Sequence, residues 1–182
     1  HVFRETMKIE LPATFTRLSW EDAMNRYGTD KPDLRFDLEM QDGAALAEKG
    51  TFQAFKDALA AGGAVKALVV PGAAATTSRK NIDELEGAAK IFKARGLGWM
   101  KVAEGEAGKP ALEGGISKFF EGKADEVCSE LGAKPGDLLL FVADAKHRVA
   151  CTALGAVRSK LGKDLNLIKE GTFAFAWIID FP

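Results

Sequence analysis

The sequence is poor in the residues that carry most enzyme chemistry. It holds two histidines and two cysteines, and Cys128 and Cys151 stand far apart with no Cys-x-x-Cys spacing. That excludes a disulfide framework and a zinc module, and it fits a reducing cytoplasm. Both cysteines lie among apolar neighbours in helical stretches and read as small buried hydrophobes. His147 stands between Lys146 and Arg148 with no cysteine or carboxylate cluster at ligand spacing, so it reads as a solvent-facing residue at a helix start. Carboxylates are plentiful, yet none pair in a visibly desolvated setting, and no nucleophile arrangement is legible. The formal net charge is −1; such a chain has no global pull on nucleic acid, and any RNA contact must be local. No apolar run approaches the roughly 20 residues of a membrane span, and no signal-peptide pattern opens the chain. No repeat of solenoid period is present.

What is present is ordinary apolar content, 47% of 182 residues. That is enough for a real core in one domain with extensions, without the composition of disorder. The densest signal is Tyr27-Gly28-Thr29-Asp30-Lys31-Pro32-Asp33-Leu34-Arg35-Phe36. Gly28 suits the left-handed end of a helix. Pro32 fixes its own φ and biases Lys31 to extended geometry, so the loop is stiff. Asp30, Lys31, Asp33 and Arg35 then form a defined charged array suited to holding a polar partner. An ion-paired surface turn has the same composition.

Along the chain, residues 1–12 carry apolar positions of mixed spacing ended by Pro12, as in a helix end whose packing partner is missing. Ser19 caps a short helix with Asp22 at the reciprocal position, and Trp20, Ala23, Met24 and Tyr27 give it one apolar face. Residues 34–40 run extended. Phe52, Phe55 and Leu59 fit helical spacing, but Gly62-Gly63 before the apolar run 65–70 reads as a hairpin, and we expect two strands. Residues 72–77 are small and precede a helix, yet lack the Lys-Ser/Thr of a phosphate loop. A flexible connection is expected there, with an anion contact helped by Arg79 and Lys80 as the alternative. Ser78 caps a helix ended by Gly96. A strand over 98–102, a mobile polar loop over 103–114 and a strand over 115–120 follow. A helix closed by Gly132 comes next, and then Leu138-Leu139-Leu140-Phe141-Val142, apolar on both faces, belongs in the middle of a sheet. Asp144 caps a last long helix ended by Gly162. Residues 173–182 form a strand apolar on both sides, an aggregation hazard unless it docks on a neighbouring domain or second chain. The chain starts at His1 rather than Met and stops just after this run, as expected of a piece of a larger protein.

Two runs carry a resemblance: Arg17-Leu18-Ser19-Trp20-Glu21-Asp22-Ala23-Met24 and the decapeptide at 27–36. Together they resemble the segment between class II motifs 2 and 3 of bacterial-type aspartyl-tRNA synthetases. The remainder, marked by residues 52–72, Ser117-Lys118-Phe119, 132–141 and 173–182, is similar to their inserted GAD domain, which also occurs in the tRNA-dependent amidotransferase. The resemblance implies an α+β sandwich, a mainly antiparallel sheet of about four strands with helices packed on it. It implies a linker from the catalytic core over 1–40, the inserted module over 41–161 and a return strand over 162–182. The parent enzymes activate aspartate with ATP and Mg²⁺ and transfer it to the tRNA acceptor end, as cytoplasmic homodimers. Their catalytic arginines and metal ligands lie outside this stretch, so the segment itself is expected to hold no catalytic residue, metal or cofactor. Its expected partners are the catalytic domain and aspartate tRNA. Asp30, Lys31, Asp33 and Arg35 are the candidates for the active-site rim or tRNA, with Arg79, Lys80, Lys146 and Arg148 as weaker phosphate contacts. The alternatives are a non-catalytic tRNA-binding module of the amidotransferase and a freestanding structural domain.

Overall fold

The computed structural model describes residues 2–182, and His1, the start of the 1–40 segment, lies outside the described residues. The chain runs α1 (Val2–Met7), β1 (Thr16–Ser19), α2 (Trp20–Tyr27), β2 (Gln41–Asp42), α3 (Leu46–Lys49), α4 (Gln53–Ala60) and β3 (Ala64–Val70). It continues through α5 (Arg79–Ile91), β4 (Gly98–Glu104), β5 (Pro110–Glu113), α6 (Ala124–Leu131), β6 (Leu138–Asp144), α7 (His147–Asp164) and β7 (Ala176–Ile179). The main sheet has five strands in the order β2-β3-β6-β4-β5, with every pairing antiparallel. Helices cover both faces, giving the α+β sandwich expected.

The apolar run at 138–142 takes the central place its composition demands. Leu138, Leu140 and Val142 pack under α5 and α7 with Leu68, Ile82, Leu85, Leu154 and Val157. Leu139 and Phe141 face the other way, against Leu46, Phe55, Val127 and Leu131 of α3, α4 and α6. Each fully buried Leu or Phe contributes about 1.5–3 kcal/mol as an upper estimate, so this strand with its two helix layers dominates the stability of the module.

The helix signals hold at several ends. Ser19 accepts from the Asp22 amide, Gly28 closes α2 at φ 73, Gly132 closes α6 at φ 63, and Ser78 with Asn81 forms a full capping box on α5. Other expectations are corrected. Residues 53–60 form a helix, because Phe55 and Ala58 share one buried face and Gly62, at φ 75, turns the chain after it. The following strand β3 pairs with distant β2 and β6 rather than in a local hairpin. The loop expected over 103–114 contains β5, which pairs with Lys101–Glu104 of β4. The strand expected over 115–120 is a 3₁₀ turn at Ser117–Phe120. Gly114 and Gly115, both at positive φ, pack against Trp99 there, where a Cβ on Gly115 would lie 2.0 Å from the Trp99 carbonyl. Gly96 lies beyond α5, which ends at Ile91 with Phe92 as its cap. Gly162 lies inside α7. Asp144 ends β6 and accepts the Lys146 amide instead of capping α7 directly.

β7 pairs in parallel with β1, from Thr16↔Ala176 to Ser19↔Ile179. The whole five-stranded module is therefore inserted between two adjacent strands. Phe3 of α1, expected to lack its partner, packs edge-on against Phe173 and Phe175, each at 5.2 Å between centroids. Trp177 still leaves 61% of its surface to solvent.

Candidate functional site

The decapeptide at 27–36 is seated on α7, whose second face carries Cys151, Gly155, Arg158 and Gly162. Backbone approaches backbone here. A Cβ on Gly28 would stand 2.2 Å from the Cys151 carbonyl oxygen, and one on Gly155 would stand 2.5 Å from the Tyr27 carbonyl oxygen. A Cβ on Gly162 would meet the Phe36 ring at 2.5 Å. The two glycine contacts set α2 and the loop directly against α7, and Gly162 makes room for the ring.

Between these glycines stands Arg158, 1% exposed. Its Nε donates to the Leu38 carbonyl at 2.7 Å, and its Nη2 donates to the carbonyls of Asp33, Phe36 and Asp37 at 3.0, 2.9 and 3.1 Å. The guanidinium also lies 4.1 Å from the Phe36 ring centroid and 4.9 Å from that of Tyr27. Residues 33–38 thus form an arc around one cation, with Leu38 forced to φ 74, rather than the plain extended run expected. Burial pulls the Arg158 pKa down, opposed by Tyr27, Asp33, Glu39 and Asp37; a guanidinium so bonded stays charged at neutral pH. A second clasp closes the arc. Glu39 accepts two bonds from Arg26, at 2.8 and 2.6 Å, and one from the Tyr27 hydroxyl at 2.9 Å. The Arg26 bonds hold the Glu39 carboxyl below the usual carboxylate range. Burial, with Glu39 adding to it, pushes the Tyr27 phenol up.

The four loop charges answer one another in two pairs. Lys31 Nζ meets Asp30 Oδ1 at 2.7 Å. Arg35 grips Asp33 through Nε and Nη2 at 2.9 and 2.7 Å, and its amide donates to the same carboxylate at 3.0 Å. Each carboxyl is held below its ordinary range by its own partner. Pairs this exposed add little to stability, so the rigidity of the loop comes from Arg158 beneath it. Lys31 remains 84% exposed on its side chain and faces outward.

The other basic residues fall into two separate places. Arg79 pairs with Asp83 at 3.1 Å and lies over the Trp99 ring at 5.9 Å. Beside it, residues 72–77 are pinned rather than flexible: Gly72 and Ala74 donate to Asp137 Oδ1 and the Gly136 carbonyl, and Lys101 Nζ donates to the Thr77 carbonyl. The Ser78–Asn81 box already uses the Asn81 amide in the first turn of α5. Helices α5 and α7 run antiparallel, since Glu84 meets Lys160 at 3.7 Å while Phe92 lies beside Arg148 and Thr152. Arg79 and Lys80 therefore lie opposite the last turn of α7, roughly 24 Å along the helix axis from Arg148 at 1.5 Å per residue. Lys146 and Arg148 are exposed at the other end, and Arg148 shares a groove of about 600 Å³ with Asp30 and Lys31. His147 is exposed, as expected, with Nε2 2.9 Å from Asn25 Oδ1 and 3.7 Å from the buried Cys151 sulfur. Among the described residues no group of three or more His, Cys, Asp or Glu side chains is placed to hold a metal ion, and no helix is long and apolar enough to cross a membrane.

Sequence reading missed Arg158, Gly155 and Gly162. A signal for them existed: on α7, positions 151, 155, 158 and 162 recur at helical spacing beside the core stripe, and two of them are glycines.

Residues 55–154 match the GAD domain family. Over its full length the chain is 62% identical to the aspartate–tRNA(Asp/Asn) ligase of Treponema denticola, covering 30% of that protein. It is 51% identical to the aspartate–tRNA ligase of Bacillus licheniformis, again with all of this chain aligned to 30% of the relative. It is 46% identical to the aspartate–tRNA(Asp/Asn) ligase of Treponema pallidum, of which it covers 29%. The chain thus spans about three-tenths of the length of these curated relatives.

Proposed function

Because this chain belongs to the GAD domain family, we propose that it is the inserted module, with its flanking segments, of an aspartate–tRNA ligase. The observation that carries this reading is the extent of the match. Identity of 62% runs through all 182 residues, whereas the family match ends at 55 and 154. The charged loop, its Arg158 seat and the β1–β7 pair thus lie in a shared stretch wider than the module itself. An amidotransferase subunit is expected to share the module alone.

On this reading the whole protein activates aspartate with ATP and Mg²⁺, as a cytoplasmic homodimer, and passes the aspartyl group to tRNA. Positioning and charge neutralisation supply most of such catalysis. This segment holds none of the reacting groups. Residues 1–40 and 162–182 connect it to the catalytic core, and residues 41–161 form the inserted body. Asp30, Lys31, Asp33 and Arg35 brace the rim of the active site and the approaching tRNA end; Arg148 shares the groove with this loop, Lys146 lies two residues before Arg148 in the chain, and Arg79 and Lys80 stand apart. The full-length protein tests the reading: aspartate-dependent ATP–pyrophosphate exchange and aspartylation of tRNA are expected, with both aspartate and asparagine tRNA offered. Absence of both reactions in folded protein would refute it.

A further inference from the structure

Resting on the tRNA-charging reading above, we propose that the groove between the charged loop and α7 takes the unpaired 3′ end of the tRNA acceptor arm. The groove holds about 600 Å³, within the range of clefts that enclose small ligands. Its floor is the stripe Thr152, Gly155, Ala156 and Ser159, where no side chain is longer than threonine, so the trough stays open along the helix. Gly155 is there because the loop backbone touches it, and the same contact leaves the groove a firm wall. The lining carries four cations, Lys31, Arg148, Lys160 and Lys163, against two carboxylates, Asp30 and Asp164. Lys31 and Lys160 are spoken for by those carboxylates. Arg148 and Lys163 have no ion-pair partner among the described residues. They stand near the two ends of the trough, roughly 22 Å apart along α7. An aromatic ring is also offered: Phe92, the cap residue of α5, leaves 46% of its surface exposed at the groove wall.

Cations spaced along a trough with an exposed aromatic wall are the arrangement that holds a single strand, the phosphates on the charges and a base stacked on the ring. A duplex is too wide to enter a trough of this size, which selects the unpaired acceptor end over the stem. The anchoring by Arg158 keeps one wall in place before the strand arrives, so little ordering is left to pay for on binding.

Direct binding by the full-length protein tests this, with two probes: intact aspartate tRNA, and the same tRNA lacking its unpaired 3′ nucleotides. Arg148→Ala/Lys163→Ala should flatten the dependence of log affinity on log salt for intact tRNA by about 1.4, the value for two single-strand phosphates. Phe92→Ala and the fold-conserving Phe92→Leu should each weaken intact tRNA roughly tenfold. None of these variants should change binding of the truncated tRNA, and the ratio of charging to pyrophosphate exchange should fall in each. Equal weakening of both probes would give the groove to the duplex and overturn the proposal, as would unchanged binding of intact tRNA by folded variants. Failure of the wild-type protein to charge tRNA at all would instead overturn the ligase reading itself.

Discussion

Replacing Arg158 is the sharpest test of how the loop is held. Its side chain donates to four carbonyls, and those of Phe36 and Leu38 lie in buried surroundings. In Arg158→Met a shorter apolar side chain takes its place, and these carbonyls lose their donor. A buried polar group left unpaired costs about 1–3 kcal/mol. The lost contacts with the Phe36 and Tyr27 rings add about 1 kcal/mol. Against this, the variant no longer buries a charge, and the carbonyls of Asp33 and Asp37, which are partly accessible, can turn to water. The balance is a loss of about 3 kcal/mol, or roughly 6–12 °C in melting temperature for a chain of this size. Arg158→Lys keeps the charge but not the planar fork, and should lose about half as much. Urea denaturation and amide exchange read both effects, with protection over residues 33–40 falling first. A loss below about 1 kcal/mol in Arg158→Met, with those amides still protected, would refute the claim that this cation organises the loop.

Further outcomes follow from the same contacts. Gly155→Ala sets a Cβ 2.5 Å from the Tyr27 carbonyl, backbone that cannot swing away, and should cost about 2–3 kcal/mol in thermal melts; Gly87→Ala, with nothing within 4 Å, should not destabilise. Glu39 and Asp33 both have folded pKa values below their unfolded ones. Their contribution is therefore complete above the unfolded values, near pH 4–5, and is lost as pH falls through the lowered folded values. Glu39→Gln should cost about 0.5 kcal/mol at pH 7, since the pair with Arg26 is partly exposed, and progressively less as the pH is lowered through that range. Cys151 is fully buried with its thiol pushed up by that burial, so a thiol reagent at mildly alkaline pH should label it only at the rate at which the structure opens.

Much of the fold was legible because local chemistry and global position agree. Residues 138–142 are apolar at every position, and only a central strand buries both faces. Ser19, Ser78, Gly28 and Gly132 end or start helices for backbone reasons that need no tertiary context. Residues 52–59 were ambiguous because a short apolar pattern fits either period, and Gly62-Gly63 suggested a hairpin where it ends a helix. β5 was hidden because Pro110-Ala111-Leu112-Glu113 is an edge strand amid glycine and charge, with weak alternation. At the site, the loop itself stood out by its proline and charges. Its seat did not: an arginine at 158 reads as a solvated helix residue until the carbonyls of residues 33–38 are seen to converge on it. Phe92 continues the helical spacing of Ile82, Leu85 and Ala89, yet as the cap residue of α5 it lines the groove instead of the core.

The claim that this loop serves tRNA charging is tested most directly in the full-length protein carrying Lys31→Ala and Arg35→Ala. Steady-state aspartylation of tRNA is measured beside aspartate-dependent pyrophosphate exchange, with folding checked by the melting curve. A fall of roughly tenfold or more in kcat/KM for tRNA relative to exchange is expected from the lost positioning. Charging kinetics identical to wild type in a stably folded double variant would contradict it.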